Sequence, residues 1–395
     1  MNSIKEIYII GNGPSSSHTI GPLKAIEYII SKYKNIDYIE IILYGSLALT
    51  GKGHLTDVII NSKLKNVPHK IIFDYFTKVK HPNTMDFIIS SNNKNFKERI
   101  YSIGGGSIKV KNQKFKKIPE IYKENNLKEI LFYCKNNHLS LFQYVLIHEK
   151  DILNYMNNVL TIMDECVNRG LNKDGDLPGK LHVKRKASTI YKEALKNENI
   201  LNKNNSIIMA YSFAASEENA SGGLTVTSPT CGSSGVIPGI IKYLRLMNIS
   251  NEKIIEGLCV AGLFGSIIKR NASISGAVAG CQAEIGVASS MGSALILHCL
   301  NMSNEKIAQG AEIALEHSLG LTCDPIEGYV QIPCIERNAI YALKAINSSE
   351  LALLIDEDSS KINFDEIVKT MYETGKDLKS GYKETSKAGM SKLRI

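Results

Sequence analysis

Two periodicities divide this sequence. From Ile4 to about Cys134, short runs rich in β-branched and aromatic residues (4–10, 38–44, 70–73, 87–90, 100–103 and 107–110) alternate with Gly, Pro and Asn punctuation, and 21–34 repeats its apolar positions at helical spacing. That mixture predicts an α+β domain. From Leu139 onward strand-like runs almost vanish, and apolar residues recur at the helical period over 141–169, 181–197, 236–247, 251–268, 282–300, 304–318, 335–346 and 364–376. Several of these segments are apolar on most sides, which predicts central positions in an all-helical second domain. Gly-rich joints interrupt the helices at 221–223, 227–239, 271–280 and 320–333. A Lys/Glu/Asn-rich segment from Pro119 to about Leu139, holding a short helix over 126–136, reads as the connection, so the expected domains are 1–138 and 139–395.

A length of 395 residues with 44% hydrophobic and 22% charged residues suits a folded chain of two domains, large enough to bury a deep site. The net charge of +8 comes from lysines scattered through stretches such as 63–80, with no recognition motif beside them. This argues against a nucleic-acid partner and suits a small anionic carboxylate substrate. The first ten residues carry Lys5 and Glu6 and lack the apolar core of a signal peptide. The longest apolar stretches, 258–268 and 293–300, fall short of a bilayer span. A cytoplasmic protein without membrane contact is expected, and its eight cysteines are then thiols or metal ligands rather than disulfides.

Three of those cysteines stand at loop-helix junctions. Cys281 follows a Gly/Ser/Ala-rich run and opens a helix, while Cys323 and Cys334 bracket the loop from Asp324 to Pro333. A helix N-terminus lowers a thiol's pKa and offers N–H groups to sulfur, so these positions favour iron ligation. The plainer reading is three buried small hydrophobes, and the spacing matches neither a zinc knuckle nor a ferredoxin run.

The motif Gly13-Pro-Ser-Ser-Ser-His-Thr-Ile-Gly-Pro22 resembles the first-domain signature of the bacterial iron-sulfur L-serine dehydratases. Asn271-Ala-Ser-Ile-Ser-Gly276, Gly280-Cys-Gln282, Glu316-His-Ser-Leu-Gly-Leu-Thr-Cys-Asp-Pro325 and Gln331-Ile-Pro-Cys-Ile-Glu-Arg-Asn338 resemble that family's cluster-binding segments, in the same order, and the likeness runs from Ile4 to about Thr385. The resemblance implies an α+β first domain, an all-α second domain carrying an iron-sulfur cluster, a homodimer, a small amino acid as substrate and no pyridoxal phosphate. It implies that Cys281, Cys323 and Cys334 hold a 4Fe-4S cluster whose fourth iron lacks a protein ligand and acts as a Lewis acid in deaminating L-serine. Two positions depart from the family pattern: Glu327, where a small residue is expected, and Cys231, where asparagine is common. Cys231 reads as a subfamily variation, with a fourth nearby thiol as the alternative. The terminal run Ser391-Lys-Leu-Arg-Ile395 lacks the cysteine that some members use as a removable fourth ligand.

Elimination from serine needs a base near Cα, and His18, His54 and His81 lie in Gly- or Pro-containing loops. His54 is the first choice: it ends Tyr44-Gly-Ser-Leu-Ala-Leu-Thr-Gly-Lys-Gly-His54, where glycines beside Lys52 permit close approach to a ligand, the resemblance points to this loop, and Lys52 itself is a further catalytic candidate. A loop histidine with a surface hydrogen bond is the plainer reading. His81 is the alternative base, with a turn role for its Pro-Asn pair nearly as good. Ser15, Ser16, Ser17, His18 and Thr19, just before a helix, are expected to bind the substrate carboxylate. Asn271 and Ser273 are expected to reach substrate or cluster, though a turn rich in local hydrogen bonds explains them as well. Gly104-Gly-Gly106 reads as a tight turn rather than a phosphate loop. Competing functions are a cysteine-desulfidase-like lyase, a non-catalytic cluster-based sensor and a pyridoxal-phosphate dehydratase.

Overall fold

The computed structural model describes residues 1–112, 120–196 and 201–393. Pro119 and Asn197, where the expected connection begins and an expected helix ends, lie outside the described residues, as do Arg394 and Ile395. The strands are β1 Ile10–Asn12, β2 Ile36–Tyr44, β3 His69–Asp74, β4 Thr84–Ser91, β5 Lys94–Gly104, β6 Ser107–Val110 and β7 Leu224–Val226. Five of them form one mixed sheet in the order β3-β2-β4-β5-β6, with β2 parallel to β3 and antiparallel to β4. The parallel pair is joined by two helices, Ser46–Thr50 and Thr56–Lys63, and this crossover carries the Gly-rich loop.

The two-residue period works as the sequence predicts. Ile39, Ile41 and Leu43 of β2 and Met85, Phe87 and Ile89 of β4 point to one face, where Ala25, Ile26 and Ile29 of the helix Gly21–Lys32 cover them. On the opposite face Asp86 is buried beneath Arg99, which binds it through two hydrogen bonds of 2.6 and 2.8 Å.

The first residues do not join this sheet. The run 4–10, expected as a strand, is a 3-10 turn at Ile4–Glu6 followed by the short β1, which pairs antiparallel with β7 in the helical part of the chain. Met1, Ile4, Ile7 and Tyr8 are buried in the helical core, and the Tyr8 hydroxyl donates to the Leu258 carbonyl at 3.0 Å. Their β-branched character serves tertiary packing here, not a strand. The short helix Leu127–Asn136 also packs into that core through Leu127, Ile130 and Cys134.

The rest is mostly helical. The period expected over 141–169 is split into Leu141–His148 and Ile152–Leu171 by a left-handed residue, Asp151 (φ 53°). The helix expected from 181 begins only at Ala187, because Lys184 is held in an isolated bridge to Asp176. One central helix, Lys203–Ala220, is absent from the expected set. Its faces are nearly equal in polarity because Glu217, Glu218 and Asn219 are buried beside its apolar residues, so it carries no amphipathic stripe. Ile285–Cys299, buried along its whole length, stands at the centre against Asn251–Asn271, Asn304–Glu316 and Cys334–Leu354. Among the described residues no helix is long and apolar enough to cross a membrane.

Candidate active site

The crossover loop of the sheet domain and four segments of the helical part meet at one cavity of about 20 Å³, whose lining includes Ser15, Ser16, His54, Cys281, Cys323, Cys334 and Glu384. Each side chain arrives by a local device. Gly53 packs against the backbone of Gly328, so close that a Cβ would stand 2.6 Å from its carbonyl carbon, which draws the loop in and turns His54 inward. Cys281 opens a 3-10 turn before the helix Ile285–Cys299, and Cys334 is the first residue of Cys334–Leu354. Cys323 lies in neither helix: its N–H donates to Tyr382 O at 2.9 Å and its carbonyl accepts from Glu384 N–H at 2.8 Å. The C-terminal segment is thereby tied across the site.

Hydrogen bonding fixes the protons on both buried histidines. His54 Nδ1 lies 2.9 Å from the Thr50 carbonyl, which only accepts, so Nδ1 carries the hydrogen and Nε2 keeps its lone pair. His18 Nε2 faces the hydroxyls of Ser46 and Thr50, each at 3.1 Å. Those hydroxyls already donate to Glu384 O and Ser46 O, so they accept from His18. His18 Nδ1 is then the lone-pair nitrogen and accepts from Ser17 Oγ at 2.8 Å. The rings stack with centroids 4.4 Å apart. Burial, with His54 as a second cause, holds His18 well below the usual imidazole range, and burial lowers His54 to about 4. Both rings are neutral near pH 7.

Glu384 completes the cluster. Its Oε1 stands 3.4 Å from His54 Nε2 and 3.5 Å from His18 Nδ1, while its Oε2 is buried without a hydrogen-bond partner among the described residues. Burial, then the Glu284 carboxyl, push Glu384 well above the usual carboxyl range. Neither acid stands out in the sequence, because Glu384 and His54 are 330 residues apart and no local motif joins them. Arg337 was also missed, although it lies one turn after Cys334 and faces the thiols.

The thiols differ from the expectation of lowered pKa values. Burial raises Cys281 to about 11 although Arg337 opposes it; burial and then Glu384 raise Cys323, and burial and then Cys281 raise Cys334. Taking a thiolate out of water outweighs a helix end, so these sulfurs become strong ligands only when a cation neutralises them. The donor set fits a cluster. Three thiols from separate segments face one space, the Arg337 side chain and Ile285 N–H address the Cys281 sulfur, and a Cβ on Gly276 would stand 3.0 Å from Cys323 Sγ. Among the described residues only His18, His54 and Glu384 bring three donor atoms within 4.8 Å of one another, so the thiols are spread more widely than the shell of one ion.

The remaining expected residues divide. Ser15 and Ser16 line the cavity, whereas Ser17 is committed to His18 and Thr19 Oγ1 donates to His54 O at 2.9 Å, so these two support the histidines. Lys52 is exposed, its ammonium above the Phe73 ring, because the turn that buries His54 points its neighbour outward. His81 sits apart against Tyr101, its Nδ1 accepting from Asn83 N–H within its own turn. Asn271 ends a helix and donates to Asn125 O, and Ser273 accepts from Ser275 N–H, so both make turn contacts away from the cavity lining. Cys231 is buried near Glu284 but does not line the cavity. Glu327 holds a left-handed backbone (φ 53°), the physical reason a small residue suits that position, and pairs with Lys180 at 2.7 Å. Gly104 to Gly106 form the positive-φ turn between β5 and β6.

Comparison with known proteins shows the family of the chain. A family model described as the serine dehydratase beta chain matches residues 3–72, and one described as the serine dehydratase alpha chain matches residues 70–391. Over 99% of its length the chain is similar to the L-serine dehydratases of Haemophilus influenzae (36% identical, 99% of that protein covered) and Helicobacter pylori (38%, 98% covered). It is similarly related to L-serine dehydratase TdcG of Escherichia coli (35% identical, 99% covered).

Proposed function

Because this chain belongs to the serine dehydratase family, with the regions of its beta and alpha chains joined in one polypeptide, we propose that it deaminates L-serine to pyruvate and ammonia. The observation that carries the reading is the meeting, on one buried cavity, of three thiols and a neutral imidazole whose Nε2 lone pair is free.

A 4Fe-4S cluster held by Cys281, Cys323 and Cys334 would supply a Lewis acid for the substrate hydroxyl. The base is His54. Its Nδ1–H is committed to Thr50, so Nε2 takes the Cα proton, and burial keeps that nitrogen unprotonated before reaction. A pKa near 4 makes a weak base, and Glu384 Oε1 stands 3.4 Å from its Nε2. Ser15 and Ser16 stand at the turn that leads into Gly21–Lys32, where backbone N–H groups suit the substrate carboxylate. As the Cα–H bond breaks its electron pair forms the Cα–Cβ double bond, and the hydroxyl departs with a proton as water. The aminoacrylate tautomerises to an imine, and one water hydrolyses it, so L-serine yields one pyruvate and one ammonia. Action in the cytoplasm as a homodimer belongs to the same reading and rests on the family resemblance.

Anaerobic purification with iron and sulfide determination, followed by pyruvate release from L-serine and from L-cysteine, tests the proposal. Iron-dependent pyruvate formation from L-serine, abolished in His54→Gln with its iron retained, is the expected result. Full activity without iron, or a preference for L-cysteine, would overturn it.

A further inference from the structure

The geometry points to a second function for the histidine-glutamate cluster: we propose that His18 Nδ1, His54 Nε2 and Glu384 Oε1 form a binding site for a single divalent transition cation of the zinc type, separate from the thiols. The three atoms lie within 4.8 Å of one another, and two of the three separations are 3.5 and 3.4 Å. Zinc bonds of 2.0–2.1 Å to nitrogen and oxygen set the edge of a tetrahedron at roughly 3.3–3.4 Å, so two edges already have the required length. Two imidazole nitrogens with one carboxylate form a donor set that zinc takes in catalytic sites, with the fourth position open.

The lone pairs are available. His54 Nε2 has no donor committed to it, because the ring hydrogen is on Nδ1. His18 Nδ1 faces Ser17 Oγ at 2.8 Å and Ser15 Oγ at 3.5 Å, and these two hydroxyls, 3.3 Å apart, can turn to each other instead. Glu384 is 4% exposed, yet its Oε2 has no hydrogen-bond partner among the described residues, a buried polar group left unsatisfied until a cation or donor reaches the carboxylate. The outer partners needed to fix both rings are present: Thr50 O holds His54, and the Ser46 and Thr50 hydroxyls hold His18. His54 and Glu384 both line the cavity of about 20 Å³, which gives two of the three donors access to it.

Zinc bound here occupies the nitrogen that removes the Cα proton, so it inhibits in competition with substrate. This consequence rests on the proposed dehydratase reading, whereas the binding itself does not. The test titrates Zn2+ into the full chain with its cluster assembled anaerobically, by calorimetry, and then records zinc X-ray absorption. The expected result is one equivalent per chain with only nitrogen and oxygen in the first shell and an apparent affinity that falls when L-serine is present. His18→Gln and Glu384→Gln should each weaken binding roughly a hundredfold or more, beyond the 10–100-fold that outer partners of a metal ligand contribute, while His69→Gln leaves it unchanged. Sulfur in the shell, an affinity unaltered in both variants, or no binding would overturn the proposal. The absorption spectrum needs no variant, so a substitution that prevents folding leaves the test intact. Pyruvate release without added zinc is measured in parallel: zinc bound as described with no pyruvate formed removes the dehydratase reading and keeps the site.

Discussion

Replacing Gly276 by alanine separates the demands of the backbone from those of the thiol site. Gly276 opens the short helix Gly276–Ala279, and its φ is not in the left-handed region, so the backbone itself accepts alanine. Helix propensity alone predicts a gain of up to about 1 kcal/mol. The site predicts the opposite. The new Cβ would stand 3.0 Å from Cys323 Sγ and 2.9 Å from Glu284 Oε1, which already accepts from Gly276 N–H at 3.0 Å. Ordinary contact begins at 3.4 Å, so the sulfur must retreat by roughly 0.4 Å, about twice the ±0.2 Å tolerated by a metal-ligand distance. Overpacking of this kind costs about 1–3 kcal/mol. The net loss of about 1–2 kcal/mol lowers the melting temperature of the cluster-free chain by only a few degrees. The expected outcome is a folded protein that holds much less iron. The assay is iron and acid-labile sulfide per chain after anaerobic reconstitution and desalting, beside a thermal melt of the cluster-free form. Iron and pyruvate formation at the parental level would refute the reasoning, because they would mean that Cys323 does not need its present position.

Three further outcomes follow from buried contacts. His54 has a folded pKa of about 4 against 6.5 unfolded, so between these values the unfolded chain binds a proton that the folded chain refuses. Its contribution, about 3 kcal/mol, is fully present above pH 6.5 and lost as pH falls towards 4; urea unfolding at pH 7.5 and pH 5 should show a smaller difference in His54→Gln than in the parent, and equal differences would remove the argument. Asn219 Nδ2 donates to Pro14 O at 3.0 Å and holds the serine loop against the helical part, so Asn219→Ala should raise KM for L-serine roughly three- to tenfold, the worth of one buried hydrogen bond, with kcat less affected; steady-state kinetics decides. Glu149 accepts from Ile4 N–H at 2.7 Å, Ser3 Oγ at 2.8 Å and Tyr122 Oη at 3.0 Å, and Glu149→Ala should cost about 3 kcal/mol in urea unfolding; a loss below about 1 kcal/mol would show that the N-terminal segment is held by its apolar side chains alone.

What the sequence determined was the local order. Alternation in 38–44 and 87–90 is a property of neighbouring residues, and β2 and β4 bury the residues it marks. The helical period after Leu139 likewise survives in most helices, and the glycines around Lys52 and before Cys281 announce bends that local geometry requires. Tertiary structure decided whatever depends on partners far along the chain. The helix Lys203–Ala220 is polar and apolar on every side because Arg169, Lys173 and Arg185 reach Glu218 from another segment, so no periodicity marks it. The run 4–10 has the composition of a strand, yet Tyr8 finds its hydrogen bond at Leu258 and Ile4 finds its own at Glu149. His81 and His54 look alike in sequence, and only packing of the crossover loop against Gly328 buries one beside the thiols while the other stays with Tyr101. Glu384 carries no local signal at all: the Cys323 carbonyl and the Ser46 hydroxyl fix its backbone, and burial, which no neighbouring residue encodes, sets its charge.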